Sequence, residues 1–299
     1  MAEAVASALS AGGHKVALVP LEAPVSSLAA RLEALSVEAV FNLFEGFPGE
    51  PSTEPLVPML LDRLALPYTG NRPRALALAL HKGLVNAVLR GRGIATPCSL
   101  AVTNLDQLRA WARYPALVKP AAEDASHGIT PQSVVRDLQE LERQAARTIA
   151  SYGEALVEPF LEGREFNVAV LGNSEPQPLP PSEVIYTLPA GQPRLVTFGA
   201  KWRPEDPYYS HTETVCPADV EASLGQRLLQ IAREAYRALG FRGYARFDLR
   251  LNGAGKPLLL DANPNPDLSP DAGLAAQARA AGLSYQQLSE RILGLALER

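Results

Sequence analysis

Cysteine is scarce in this 299-residue chain: only Cys98 and Cys216 occur, far apart, with no CxxC and no Cys/His ligand spacing. That excludes a disulfide framework and a zinc ribbon, and it suits a reducing cytoplasm. No apolar run reaches the ~18–20 residues that span a bilayer, so no membrane partner is expected. The first twenty residues, MAEAVASALSAGGHKVALVP, lack a basic n-region and read as an amphipathic helix rather than a signal peptide. With a formal charge of −4 and no basic stripe, the chain has nothing that would neutralise a nucleic-acid backbone. Phosphate-binding signatures of the common kinds are missing too: there is no GxxxxGK[ST], no kinase Gly-rich loop and no His-Arg-Asp. Lysine is the other rarity. Only Lys15, Lys82, Lys119, Lys201 and Lys256 stand against 23 arginines. A GC-rich genome explains such a bias, and 26 prolines fit a heat-tolerant source, so each remaining lysine is informative.

What is present describes an ordinary globular chain, 47% hydrophobic and 20% charged, long enough for about two domains of ~100–200 residues. Apolar spacing predicts a helix over 2–9, stopped by Gly12-Gly13, then a strand over 15–20, a helix over 26–35 and a strand over 37–43. This alternation implies βαβ units and a parallel sheet. A helix over 52–66 and a short extended piece, Leu66-Pro67-Tyr68-Thr69-Gly70, close that region. A doubly wound domain normally begins with a central strand. This chain begins in what should be the following helix, so the first strand is expected upstream of residue 1.

Beyond residue 72 the pattern becomes α+β. Helices are predicted over 74–92, 105–113, 135–150 and 219–239, with two more at the end, and strands over 116–119, 155–158, 183–187 and 195–198. Residues 164–171 alternate strictly, as a half-buried strand would. Strands over 244–251 and 257–262 flank Asn252-Gly253-Ala254-Gly255, a strong hairpin signal. The expected division is 1–72, 73–160 and 161–299.

That hairpin carries the most chemistry. Alternation puts Arg246 and Asp248 on one face, with Phe247, Leu249 and Leu251 on the other. On the second strand Asp261 and Asn263 share a face, with Leu258 and Leu260 opposite. A turn near Ala254 brings Asp248 and Asp261 within about a residue of facing each other. Two carboxylates and an amide oxygen beside an arginine suit a hard cation such as Mg²⁺ with phosphate oxygens. A solvated strand face with a plain Arg–Asp pair is the alternative. Residues 261–272 also resemble a calcium loop superficially, but Pro266 stands where glycine is needed and Ala272 where glutamate is needed. Elsewhere, Lys119-Pro120 ends an apolar strand before the small-residue loop 121–128, a place where a lysine and backbone N–H groups meet phosphates. A snorkelling surface lysine is the alternative there. His14 and His211 read as surface or loop residues, and His127 as a residue of the Ser126-His127-Gly128 loop rather than a phosphate contact.

In this order the segments resemble the ATP-grasp superfamily, most closely the D-alanine–D-alanine ligase-like family, over nearly the whole chain. Val40-Phe41-Asn42-Leu43, Gly46-Phe47-Pro48-Gly49-Glu50 and Leu66-Pro67-Tyr68-Thr69-Gly70 look like its N-terminal signature. The resemblance implies an α/β N-terminal domain plus α+β ATP-grasp lobes. It places Lys82 and Lys119 on ATP, and Ser126 in the loop over the phosphates. Glu158, Phe160, Leu161 and Glu165 fall at the adenine and ribose, and Lys201 at the phosphates near the reaction. Arg246 falls at the acyl transition state, and Asp248, Asp261 and Asn263 on two Mg²⁺ (or Mn²⁺) ions, Asp261 replacing the more usual glutamate. It implies a cytoplasmic, ATP-dependent carboxylate–amine ligase with amino-acid-like substrates, often dimeric, that works through an acyl phosphate. An ATP-grasp phosphotransferase and a nucleotide-binding scaffold without turnover are the alternatives.

Departures cluster where the amino acids would bind. Asp124-Ala125-Ser126 replaces Gly-Ser-Ser, Glu45 replaces a histidine and Trp202 a tyrosine. Asn265-Pro266-Asp267 replaces Ser/Thr-Pro-Gly, and Ala272 stands where a serine would hold a carboxylate. The resemblance therefore implies ATP use, while the residues at the amino-acid end depart from those expected for D-alanine.

Overall fold

Helix α1 (Ala2–Ala11) buries Val5, Ala8 and Leu9 and packs against the last helix of the chain. The computed structural model describes residues 1–22, 25–123 and 126–298. Among these, 14–22 forms no helix and joins no ladder, and 37–43 makes one parallel bridge, Val40 to Tyr68. Two expected strands are thus unpaired or nearly so. Apolar spacing does not make a sheet without a neighbour to take the N–H and C=O groups. The N-terminal core instead comes from α2 (Leu28–Leu35), α3 (Leu56–Arg63) and Tyr68, through Leu28, Leu32, Val57 and Leu61.

The helix expected over 74–92 is two helices, α4 (Pro73–Ala79) and α5 (Lys82–Gly91). His81 breaks it with φ −110° and ψ 85°. The break lets the Lys82 backbone N–H donate to Ala121 O at 3.3 Å, so α5 starts beside the loop after the next sheet's central strand.

The middle lobe has four antiparallel strands: β1 (Leu100–Val102), β2 (Ala116–Pro120), β3 (Val134–Val135) and, beyond helix α6 (Leu138–Tyr152), β4 (Ala155–Pro159), in the order β1-β4-β2-β3. Asp137 caps α6 by accepting from Glu140 N at 2.8 Å. Leu141 and Ala145 of α6 pack on Val102, Val118 and Val157. The helix expected over 105–113 is only a 3₁₀ segment, Leu105–Ala110.

The last lobe holds β5 (Glu165–Gly172), β6 (Gln177–Pro178), β7 (Ser182–Tyr186), β8 (Thr212–Val215), β9 (Gly243–Leu251) and β10 (Pro257–Asn263). Their order is β10-β9-β5-β7-β8, with β6 also on β5, and every pairing is antiparallel. Helices α7 (Phe198–Trp202), α8 (Pro207–Ser210), α9 (Ala222–Leu239), α10 (Gly273–Ala280) and α11 (Tyr285–Leu297) complete it. The strand expected over 195–198 is absent. Thr197 there accepts from Ala200 N at 3.0 Å and starts α7. Strand β5 is buried almost throughout rather than on one face. Leu228, Ile231 and Ala235 of α9 cover Phe166, Val168 and Val170, while Leu274 and Ala278 of α10 cover Ala169 and Leu171. No described helix is long and apolar enough to cross a membrane.

Candidate functional site

Strand register builds the site. Glu165 pairs with Arg250, Asn167 with Asp248 and Ala169 with Arg246, while Asp261 pairs with Asp248 and Asn263 with Arg246. Residues opposite each other in a ladder share a face. One face of β10-β9-β5 therefore presents Asp261, Asn263, Arg246, Asp248, Arg250, Glu165 and Asn167 together. The register shifts between Leu259 and Asp261. This bulge corrects the face expected for β10: Leu259 is fully buried in the α9 core with Ala262, and Leu258 and Leu260 are only partly buried.

Cations hold both aspartates. Arg246 donates from Nε and Nη2 to the two oxygens of Asp248 at 2.7 and 2.9 Å, and Asn167 Nδ2 adds a bond to Oδ1 at 2.9 Å. Lys82 Nζ, from the start of α5, donates to Asp261 Oδ1 at 3.0 Å. Burial pushes the Asp261 carboxyl upward, but Lys82, Lys119 and Arg246 outweigh it and leave the group at about 2. Asp261 is therefore ionised at neutral pH. Among the described residues no group of three or more His, Cys, Asp or Glu forms a metal cluster. Two carboxylates with the Asn263 amide form instead an all-oxygen donor set, the hard chemistry that fits Mg²⁺.

Lys119, at the end of β2 and within electrostatic reach of Asp261, forms an ion pair of 2.8 Å with Glu158 of β4, the side chains 8% and 2% exposed. Asn86 Nδ2 of α5 donates to the other Glu158 oxygen at 3.3 Å. Lys201 stands in α7 within electrostatic reach of Asp248, Asp261 and Glu165. Burial, then Arg246, lowers its ammonium against the pull of those acids. Glu165 Oε2 accepts from Tyr186 OH at 2.7 Å and pairs with Arg250 at 3.2 Å. Phe160 and Leu161 lie in the connection from β4 to β5, where they line an open cavity of about 510 Å³ with Pro115, Gly163 and the hairpin turn. None of the lysines or paired carboxylates lines that cavity.

The loop after β2 reaches α7. Phe198 N donates to Ile129 O at 3.2 Å, and the His127 ring packs edge-on against Phe198 at 4.9 Å, a packing role rather than an ionic one. Ser126 adopts φ +61° in the turn closed by Ile129 N to Ser126 O at 3.0 Å. Among the described residues no hydrogen bond joins its hydroxyl to the lysines or acids. Asp124 and Ala125 lie outside the described residues. Trp202 is 56% exposed beside Lys201.

At the other end Asn265 N donates to Asn263 Oδ1 at 2.8 Å, and Asn265 Nδ2 reaches Glu54 Oε1 at 2.8 Å and Phe44 O at 3.1 Å. The N-terminal region is thereby tied to the hairpin. Glu54, Asn86, Asn167, Tyr186 and Arg250 escaped the sequence reading. For Asn167 and Arg250 a signal existed, since each continues the two-residue period of Glu165 and of Arg246 and Asp248. For Glu54 and Asn86 none did.

A family model described as "D-ala D-ala ligase C-terminus" matches residues 98–294. The chain is 32% identical over 305 residues to an uncharacterized protein, y4sG, of Sinorhizobium fredii, covering 100% of this chain and 88% of that one. It is 31% identical over 305 residues to the D-alanine–D-alanine ligase of Moorella thermoacetica, covering 99% and 93%. Among solved structures, the D-alanine–D-alanine ligase from Bacillus anthracis matches with a TM-score of 0.78 at 20% identity, over 99% of this chain and 90% of that one. VanG D-Ala:D-Ser ligase from Enterococcus faecalis matches with a TM-score of 0.73 at 24% identity, over 87% and 73%. These two likenesses show the fold. By the family match and the sequence relatives, the chain belongs to the D-alanine–D-alanine ligase-like family of the ATP-grasp superfamily and is an ATP-dependent carboxylate–amine ligase.

Proposed function

We propose that this ligase joins two amino acids, D-alanine first among them, and that the face of β10-β9-β5 is where the acyl phosphate forms and is consumed. The single observation that carries this reading is the in-register pairing of Asp248 with Asp261, flanked by Arg246 and Lys82. Asp248, Asp261 and Asn263 would hold Mg²⁺, which when bound neutralises phosphate charge. Lys82, Lys119 and Lys201 bring three ammonium groups to the polyphosphate, and Ser126 lies in the loop that covers it. Glu158, Phe160, Leu161 and Glu165 receive the adenosine. Division into 1–72, 73–160 and 161–299 then gives each part a share of the site.

A carboxylate oxygen of the first substrate attacks the γ-phosphorus, the bond to ADP breaks, and an acyl phosphate remains. The amine of the second substrate attacks the carbonyl carbon, phosphate departs with the oxygen that was the carboxylate's, and the proton lost by the nitrogen leaves on that phosphate. Arg246 stands two residues from Asp248 on the same face and stabilises the oxyanion between those events. Loop 126–130, docked on α7, excludes water that would hydrolyse the intermediate. Glu54 and Glu45 approach Tyr244 and Asn265 at the substrate end. Acids there favour a substrate with an ammonium group, as every amino acid has. The free thiols of Cys98 and Cys216 suit a reducing cytoplasm, where ATP is supplied.

The test is ADP release with ATP, Mg²⁺ and a panel of D- and L-amino acids, alone and in pairs. Release that depends on an amino acid, with D-alanine active, is expected. No release with any amino acid would refute the assignment.

A further inference from the structure

Arg250, 2% exposed, is the most deeply buried lysine or arginine among the described residues. Its contacts use the whole guanidinium. Nε donates to Gly163 O at 3.0 Å, Nη2 to Arg194 O at 2.6 Å, and Nη1 pairs with Glu165 Oε2 at 3.2 Å. The plane lies over the Phe160 ring at 5.2 Å and near the Tyr186 ring at 5.8 Å. One side chain thus joins the β4–β5 connection, the segment before α7 and the acid on β5. A lysine could not do this, because its ammonium has neither the planar fork nor the stacking face.

The arrangement at Glu165 is asymmetric. Tyr186 OH, at 2.7 Å, and Arg250 both converge on Oε2. Among the described residues neither contact uses Oε1, although Glu165 is only 9% exposed. An ionised carboxylate has lone pairs for about four donors, so the orientation that satisfies Oε2 leaves Oε1 to accept from a ligand. Phe160 and Leu161 are the neighbouring residues on the connection that Arg250 holds.

We propose that Arg250 is a positioning residue for nucleotide recognition: it locks Glu165 so that Oε1 accepts from the sugar hydroxyls of the bound nucleoside triphosphate. This rests on the ATP reading of the site and adds to it a residue that acts through Glu165 without touching substrate. Sugar discrimination then depends on a side chain on a different strand from the one that makes the contact.

The experiment measures binding of Mg-ATP and Mg-2′,3′-dideoxyATP calorimetrically to the full chain and to its Arg250→Lys, Arg250→Met and Glu165→Gln variants. The unaltered protein is expected to prefer ATP by about 10- to 100-fold, the worth of hydrogen bonds to a charged acceptor. In Glu165→Gln and in both Arg250 variants that preference is expected to shrink to within about threefold. A Glu165→Gln/Arg250→Lys double variant is expected to discriminate no worse than either single one, because the two residues act as a unit. Arg250→Lys keeps charge and approximate length, and so reads out the lock even where Arg250→Met fails to fold. Undiminished preference in Arg250→Lys, with preference lost in Glu165→Gln, would overturn the role of Arg250 alone. ATP binding without any sugar preference in the unaltered protein would overturn the Glu165 contact, and absence of ATP binding would overturn the ligase reading beneath it.

Discussion

Asp248 and Asp261 face each other across the β9–β10 hairpin, and each is held by a cation, Arg246 on one and Lys82 on the other. Two carboxylates this close repel, and the flanking charges make the pair tolerable before any metal arrives. Asp248→Asn is therefore expected to leave the fold intact, by melting temperature, and to lower amino-acid-dependent ADP release by about 100-fold. The Mg²⁺ concentration for half-maximal rate should rise with it. An unchanged Mg²⁺ dependence would count against the assignment.

Lys119 and Glu158 separate stability from activity. Their ion pair is buried, so Lys119→Ala strands a carboxylate and is expected to destabilise the protein by about 3–5 kcal/mol. The double variant Lys119→Met/Glu158→Met removes both charges and should recover most of that loss in denaturant melts. It should not recover ATP turnover. Recovery of both would show that the pair is structural only.

Gly128 fixes the path of the loop that follows β2. At φ +71° an added Cβ would come within 2.8 Å of Pro120 and Tyr152. Gly128→Ala is expected to raise the KM for ATP several-fold, by roughly 1–2 kcal/mol of backbone strain, and to speed proteolysis of the loop. The single-site Gly91→Ala, with open space around its Cβ, serves as the control.

Alkali should reveal the N-terminal core. Burial, reinforced by the hydrogen bond to Asp62, pushes the Tyr68 hydroxyl up to about 12 against the pull of Arg242. A folded-state value above the unfolded one, about 10, means the stabilisation is complete below pH ~10 and is lost as pH rises through about 12. Melting temperature should fall less steeply across that window in Tyr68→Phe. Equal slopes would contradict the assignment.

The hairpin and its facing aspartates were legible because a two-residue period and one short turn determine which side chains meet. The same rule mispositioned Leu258 and Leu260, since no residue pattern announced the bulge at Leu259–Asp261. The lysines at 82, 119 and 201 stood out through scarcity, but which acids they meet did not. Lys119 meets Glu158 across two strands distant in sequence, and Asn265 meets Glu54 across 211 positions. Residues 195–198 misled for a local reason: an aromatic, β-branched run looks extended until Thr197 caps a helix. The unpaired segment 14–22 shows the limit most plainly, because pairing belongs to the neighbour as much as to the strand.

Transfer of oxygen tests the central claim most directly. The carboxylate substrate, labelled in both carboxyl oxygens with ¹⁸O, is incubated with ATP, Mg²⁺ and the amine substrate, and the inorganic phosphate is analysed by mass spectrometry. An acyl phosphate intermediate requires one labelled oxygen in each phosphate released. Unlabelled phosphate would contradict the account.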